Sequence, residues 1–146
     1  MKKALLALSI IILLLMGCGL NQNPPSYIKQ VSAYKEGSDG LVIYFILADS
    51  SGAMTTSEGT AKIVITEERS SGKDTTLYQK TVTVNLSSFV KTKIGQGSFQ
   101  REAILFSFGR IPYSSLTLKP QASSGKVKIE FTAGSKTMQG EDSIFW

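Results

Sequence analysis

Hydrophobic positions change character twice along the chain. Ala4 to Met16 is apolar apart from Ser9, a run of about thirteen residues behind Lys2 and Lys3. A helix crossing a ~30 Å hydrocarbon core needs roughly 20 apolar residues, so this run is too short to span. Asn21-Gln22-Asn23-Pro24-Pro25-Ser26 follows, polar and proline-bearing. That composition predicts a short, extended, flexible tether over residues 18–26. Beyond Tyr27 no stretch sustains a helical period. Apolar residues fall in short β-rich runs, most of them alternating, between Gly, Ser and Asp clusters, which is the pattern of successive strands.

The first of these runs is Tyr27 to Lys35, closed by Ser38-Asp39-Gly40. Leu41 to Ala48 is apolar on both faces and predicts a central strand covered on two sides. Thr60 to Thr66 puts Ala61, Ile63 and Ile65 on one face. A hairpin turn at residues 70–74 leads into Thr76 to Leu86, with Val82, Val84 and Leu86 on one side. Ser87 to Ser98 reads as a long connection in which Phe89, Val90 and Ile94 form a helical turn or plug one end of the core. Phe99 to Phe108 is a strand with Ile104, Phe106 and Phe108 in phase. Gly109 to Gly125 reads as a crossing segment with a short strand at Leu116-Thr117-Leu118. Lys126 to Thr132 alternates strictly, with Val127, Ile129 and Phe131 inward. After a turn at residues 133–136 the chain returns through Thr137 to Trp146, burying Ile144 with Trp146 or Phe145. Gly140 marks a bulge or a close approach in that return.

Seven strands, with an eighth at 116–118, predict an all-β domain over residues 27–146: an antiparallel β-sandwich of 7–8 strands. The spacing resembles immunoglobulin-like and fibronectin type III-like sandwiches. Leu118-Lys119-Pro120 is similar to the fibronectin type III turn before the sixth strand, but the Tyr that follows there is missing. There is no Cys pair, and no Trp near the third strand. The likeness is architectural and brings no function with it.

The end of the apolar run is more specific. Leu15-Met16-Gly17-Cys18 resembles the lipobox of bacterial lipoproteins: an aliphatic residue, a variable one, a small one and Cys. The basic start and the length of the apolar run suit a secretory signal peptide over residues 1–17. The resemblance implies a diacylglycerol thioether on Cys18, with cleavage just before it. Two or three acyl chains, at about 0.8 kcal/mol per buried CH₂, hold a protein on a membrane where one is marginal. In a two-membrane host of the enteric type, Gly19 in place of Asp would permit sorting to the outer membrane.

Composition narrows the chemistry. The chain has no His and a single Cys. That rules out Ser-His-Asp and Cys-His centres, imidazole-dependent zinc and copper sites, and any intramolecular disulfide. The formal charge of +5 includes Lys2 and Lys3; without them 14 basic residues face 11 acidic ones. No dense Lys/Arg run points to nucleic acid. Glu67-Glu68 and Glu141-Asp142 are sequence neighbours, so on strands each pair diverges to opposite faces and reads as a solvated edge. Asp39, Asp49, Glu58 and Asp74 lie in turns and match no calcium-loop spacing. Lys91, Lys93, Arg110 and Lys119 fall in the two long connections, either as one basic end or as a scattered solvated surface, and the scattered surface is the plainer reading. Tyr27, Tyr34, Tyr44, Tyr78 and Tyr113 mostly lie on strands, where packing is the default.

These features lead to one expectation: an extracytoplasmic cell-envelope lipoprotein, lipid-anchored through Cys18, with no catalytic residues, metal or cofactor beyond that lipid. Its sandwich is expected to bind or help assemble another envelope protein through a strand edge or the loops 50–59, 87–98 and 109–125. The alternative is a small-ligand or polysaccharide binder using a concave aromatic face.

Overall fold

The computed structural model describes residues 22–69 and 72–146. The lipobox Leu15, Met16, Gly17 and Cys18 lies outside them. Two antiparallel sheets face each other. One contains β1 (Tyr27–Glu36), β2 (Gly40–Ala48), β3 (Met54–Thr55), β6 (Phe89–Ile94) and β7 (Arg101–Pro112); the other contains β4 (Gly59–Glu68), β5 (Asp74–Val84), β8 (Ser124–Ala133) and β9 (Lys136–Phe145). The strand orders are β1-β2-β7-β6, with β3 on β2, and β5-β4-β8-β9. Strands A, B, E and D of an immunoglobulin-like sandwich correspond to β1, β2, β7 and β6, and C, F and G to β4, β8 and β9, with β5 as an added edge. The chain is an all-β sandwich consistent with an immunoglobulin-like fold.

The core follows from the alternation. Leu41, Ile43, Phe45 and Leu47 meet Ala61, Ile63, Ile65, Val127, Ile129 and Phe131 between the sheets, all fully buried. Phe45 sits at the centre of an aromatic cluster, with ring centroids 5.4 Å from Phe106, 5.5 Å from Phe131 and 6.0 Å from Phe108. The second apolar face of β2 is covered as expected: Ile46 packs with Ala103 and Leu105 beneath Met54 of β3. Where β1 and β9 close one side, a Cβ on Gly140 would lie 2.8 Å from Val31 Cγ2 and 3.0 Å from Ile28 Cγ2. Gly140 therefore marks close packing rather than a bulge, as no register shift interrupts β8–β9 pairing.

Three sequence expectations are corrected. Residues 89–94 form an edge strand, β6, paired with β7 from Phe89–Phe106 to Ile94–Arg101; a 3-10 turn at Leu86–Ser88 precedes it. The pattern concealed this strand because only Phe89 and Ile94 are even half-buried. β5 and β6 together make one rim that changes sheet through residues 85–88. Leu116-Thr117-Leu118 is not a strand; β7 instead runs on to Pro112. Leu86 is 53% exposed, because β5 ends at Val84 and Leu86 opens the 3-10 turn; a bulge between Ile65/Tyr78 and Thr66/Thr76 separately turns Leu77 inward.

Residues 22–26, predicted as the end of a free tether, are fastened to the domain. Ser26 N donates to Ala48 O (2.7 Å), and Thr55 Oγ1 donates to Asn23 O (2.7 Å). Asn23 Nδ2 donates to Asp49 Oδ2 (3.0 Å), and Thr56 N to Gln22 Oε1 (3.1 Å). Asp49 is buried and also accepts from Ser51 Oγ (2.6 Å), Ser51 N (2.9 Å) and Ala53 N (3.1 Å). The Ser51 hydroxyl first, then the Asn23 amide and the backbone amides, outweigh burial and hold the Asp49 carboxyl at about 2. The near end of the sandwich, where β1 starts and β2 finishes, is thus the end at which the N-terminal segment leaves.

Candidate functional site

The opposite, far end is built by residues 113–123, which join β7 to β8. This crossing has little regular structure of its own. Its backbone is pinned at three places instead. Tyr113 N donates to Asp39 O (2.8 Å) in the β1–β2 turn. Thr117 N donates to Leu77 O (2.7 Å), the carbonyl released by the β5 bulge. Gln121 N (2.9 Å) and Ala122 N (3.1 Å) both donate to Glu67 Oε2.

Glu67 corrects the reading of Glu67-Glu68 as a solvated edge: its side chain is fully buried. The strand alternation carries the signal, since Glu67 follows Ala61, Ile63 and Ile65 in the inward phase of β4. Arg69 Nε closes the ion pair at 2.8 Å from Glu67 Oε1. Burial acts to raise the Glu67 carboxyl, but the amides of Gln121 and Ala122 and the Arg69 guanidinium overcome it, leaving its pKa below the usual carboxylate value. With three donors on it and its side chain fully buried, the carboxylate is committed to holding a loop.

Beside this loop, Tyr113, Ser114, Leu116, Lys119, Pro120 and Trp146 line an open recess of about 420 Å³. Trp146 sits there because its N donates to Ser123 O (3.3 Å) and its ring lies over Gly125. A Cβ on Gly125 would meet Trp146 Cζ2 at 2.5 Å and Thr66 O at 2.7 Å, so only glycine leaves room for the indole. Tyr113 packs edge-on to Trp146, with centroids 6.1 Å apart. Tyr113 Oη and Trp146 Nε1 are buried and have no hydrogen-bond partner among the described residues. Burial, then the nearby Asp39 charge, raises the Tyr113 phenol, so it stays a neutral donor. The recess offers an aromatic wall and the Lys119 ammonium, while the two neutral donors are buried within the side chains that line it. Leu118, 47% exposed, and Phe145, 72% exposed, add apolar surface at the same end.

The other sequence candidates are dispersed. Glu141 faces outward, 3.8 Å from Lys126, while Asp142 points the other way and accepts from Ala33 N of β1 (2.9 Å). The divergence holds, but Asp142 joins two strands rather than lying on a free edge. Lys91 and Lys93 lie on β6 towards the near end, whereas Arg110 and Lys119 lie towards the far end, so the four do not form one basic end. Lys91 pairs with Glu102 (3.0 Å), and Arg110 with Glu36 (3.6 Å) and Asp39. Tyr27 and Tyr34 are exposed on β1, and Tyr44 and Tyr78 pack against different apolar clusters. Among the described residues, no three carboxylate, Cys or His side chains converge as a metal site. Tyr113 and Trp146 were not paired from the sequence, since they are far apart along the chain and only the fold joins them. No protein-family model matches this chain, and no curated protein is significantly similar to it.

Proposed function

We propose that this chain is an extracytoplasmic, lipid-anchored envelope protein. Its Cys18 carries the acyl chains, and its sandwich is a non-enzymatic module that binds another envelope protein through the far end. One observation supports this reading above the rest: the segment leading back to Cys18 is fastened at one end of the sandwich, and the aromatic recess opens at the other. A domain held that way presents residues 113–123, Leu118 and Phe145 away from the membrane. A protein partner suits this surface because exposed apolar side chains flank the recess.

The test is photocrosslinking in the native envelope from positions 118 and 145, with position 80 on the side of β5 as the control. A discrete adduct from the first two alone supports the reading; no adduct, or the same adducts from all three, removes it. For the anchor, Cys18→Ser is expected to release the protein from the membrane fraction or leave the precursor uncut.

The second reading, a polysaccharide or small-ligand site, is favoured by the unpartnered Tyr113 hydroxyl and Trp146 indole N–H in one recess. Quenching or enhancement of the fluorescence of Trp146, the sole Trp, by wall-derived oligosaccharides would select this reading over the first.

A further inference from the structure

The near end carries a feature that binding at the far end does not use. The β6–β7 hairpin turns through residues 95–100 at the end where β1 starts, because β7 is antiparallel to β2, and β2 to β1. Arg101 Nη2 donates to Gln30 Oε1 (2.6 Å), fixing the base of this hairpin against β1. At its tip Phe99 is 85% exposed, the most exposed large apolar side chain among the described residues. Leu86, 53% exposed, lies on the same end beside the fastened Gln22, Pro24 and Pro25. Lys93 and Arg101 lie on the strands that lead into the turn, Lys29 lines one hollow with Arg101 and donates to Gly52 O (2.6 Å), and none of the three forms an ion pair among the described residues. The acidic groups nearby are Glu58, Glu102 paired to Lys91, and Asp49, which is buried.

The geometry points to this end as a bilayer-contacting surface, with Phe99 entering the headgroup region and Lys29, Lys93 and Arg101 meeting anionic phosphates. The inference rests on the lipid anchor proposed above. Gln22 is already hydrogen-bonded to Thr56, so only four residue steps separate it from Cys18. Fully extended, they span at most about 14 Å. A lipidated Cys18 lies at the membrane surface, so this leash keeps the near end within reach of the headgroups. An apolar side chain on an end that carries unpaired cations is the composition that binds an anionic interface, each Lys or Arg adding attraction that fades within a Debye length.

The test uses the full chain purified from membranes, carrying either Phe99→Cys or Ser114→Cys at the far end. The new thiol is labelled with an environment-sensitive dye. Each protein is placed in vesicles of phosphatidylethanolamine with phosphatidylglycerol, and in phosphatidylcholine alone. Nitroxide lipids are expected to quench the dye at position 99 roughly threefold more than at position 114, as an interfacial group sits about 5–10 Å into the headgroup boundary. The difference should shrink in high salt and in phosphatidylcholine. With dye bound only at the new Cys, showing Cys18 blocked by lipid, equal quenching at both positions overturns the bilayer contact and leaves the anchor reading intact. Dye on Cys18 itself overturns the anchor reading and the contact with it.

Discussion

The Glu67 carboxylate and the Gln121 amide meet at 2.9 Å although 54 positions separate them in the chain. This bond, with its neighbour from Ala122, turns an irregular crossing into a fixed wall of the far-end recess. Glu67→Gln keeps the shape but removes the charge from three hydrogen bonds. A hydrogen bond to a charged group contributes about 1.5–3 kcal/mol, so a loss in that range is expected in denaturant unfolding. Glu67→Ala should cost more, because it also leaves Arg69 Nε without its acceptor. Amide exchange at Gln121 and Ala122 should accelerate in both variants, while that of β2 stays slow.

The acid limb of the stability curve follows from the same carboxylate and from Asp49. Both have folded pKa values below their unfolded ones, Asp49 at about 2. A depressed carboxylate contributes stability that is fully present above its unfolded pKa, roughly 4, and is lost as pH falls through the folded value. The melting temperature should therefore fall as pH is lowered from about 4 towards 2. Asp49→Asn and Glu67→Gln should each flatten that fall while lowering the plateau near pH 7. An unchanged acid limb in both variants would show that other groups set it.

Core and surface aromatics should separate sharply. Phe45 is fully buried amid Phe106, Phe108 and Phe131, and Phe45→Ala should cost about 3–5 kcal/mol. Phe145→Ala, at a side chain 72% exposed, should stay within about 0.5 kcal/mol. Chemical denaturation of both variants reads the contrast directly.

Much of this architecture was legible in the sequence because alternation reports burial. Ala61, Ile63 and Ile65 on β4, and Val127, Ile129 and Phe131 on β8, lie inward as their spacing required. Reading failed where burial is absent or where geometry shifts the phase. β6 is an edge strand with four exposed residues in the middle, so it left no periodic trace. The β5 bulge sends Leu77 inward, and the strand's end at Val84 leaves Leu86 half-open on a 3-10 turn, which no local pattern announces. The recess was invisible for a different reason: Tyr113 and Trp146 become neighbours only when β9 returns beside β8.

Two substitutions examine that recess. Gly125→Ala should push the indole off its seat, since the added methyl would meet Trp146 Cζ2 at 2.5 Å. A red-shifted, more readily quenched Trp emission is the expected result; an unchanged spectrum would refute the packing. Tyr113→Phe removes a buried hydroxyl that has no partner among the described residues. An apolar replacement of the same shape should be neutral or stabilising, within about 1 kcal/mol. A clear loss of stability would mean that the hydroxyl has an acceptor in solution.

The fastening of residues 22–26 also decides how the protein bears load. A pull on the N-terminal segment enters at Gln22 and is shared with Thr55, Thr56 and Asp49 before it reaches β1. Asp49 follows directly from β2, a strand held on both sides, and Thr55 lies on β3, which pairs with it. Tension therefore runs into the middle of the sheet, and the rim strand β1 is spared from being peeled away like the edge of a tape.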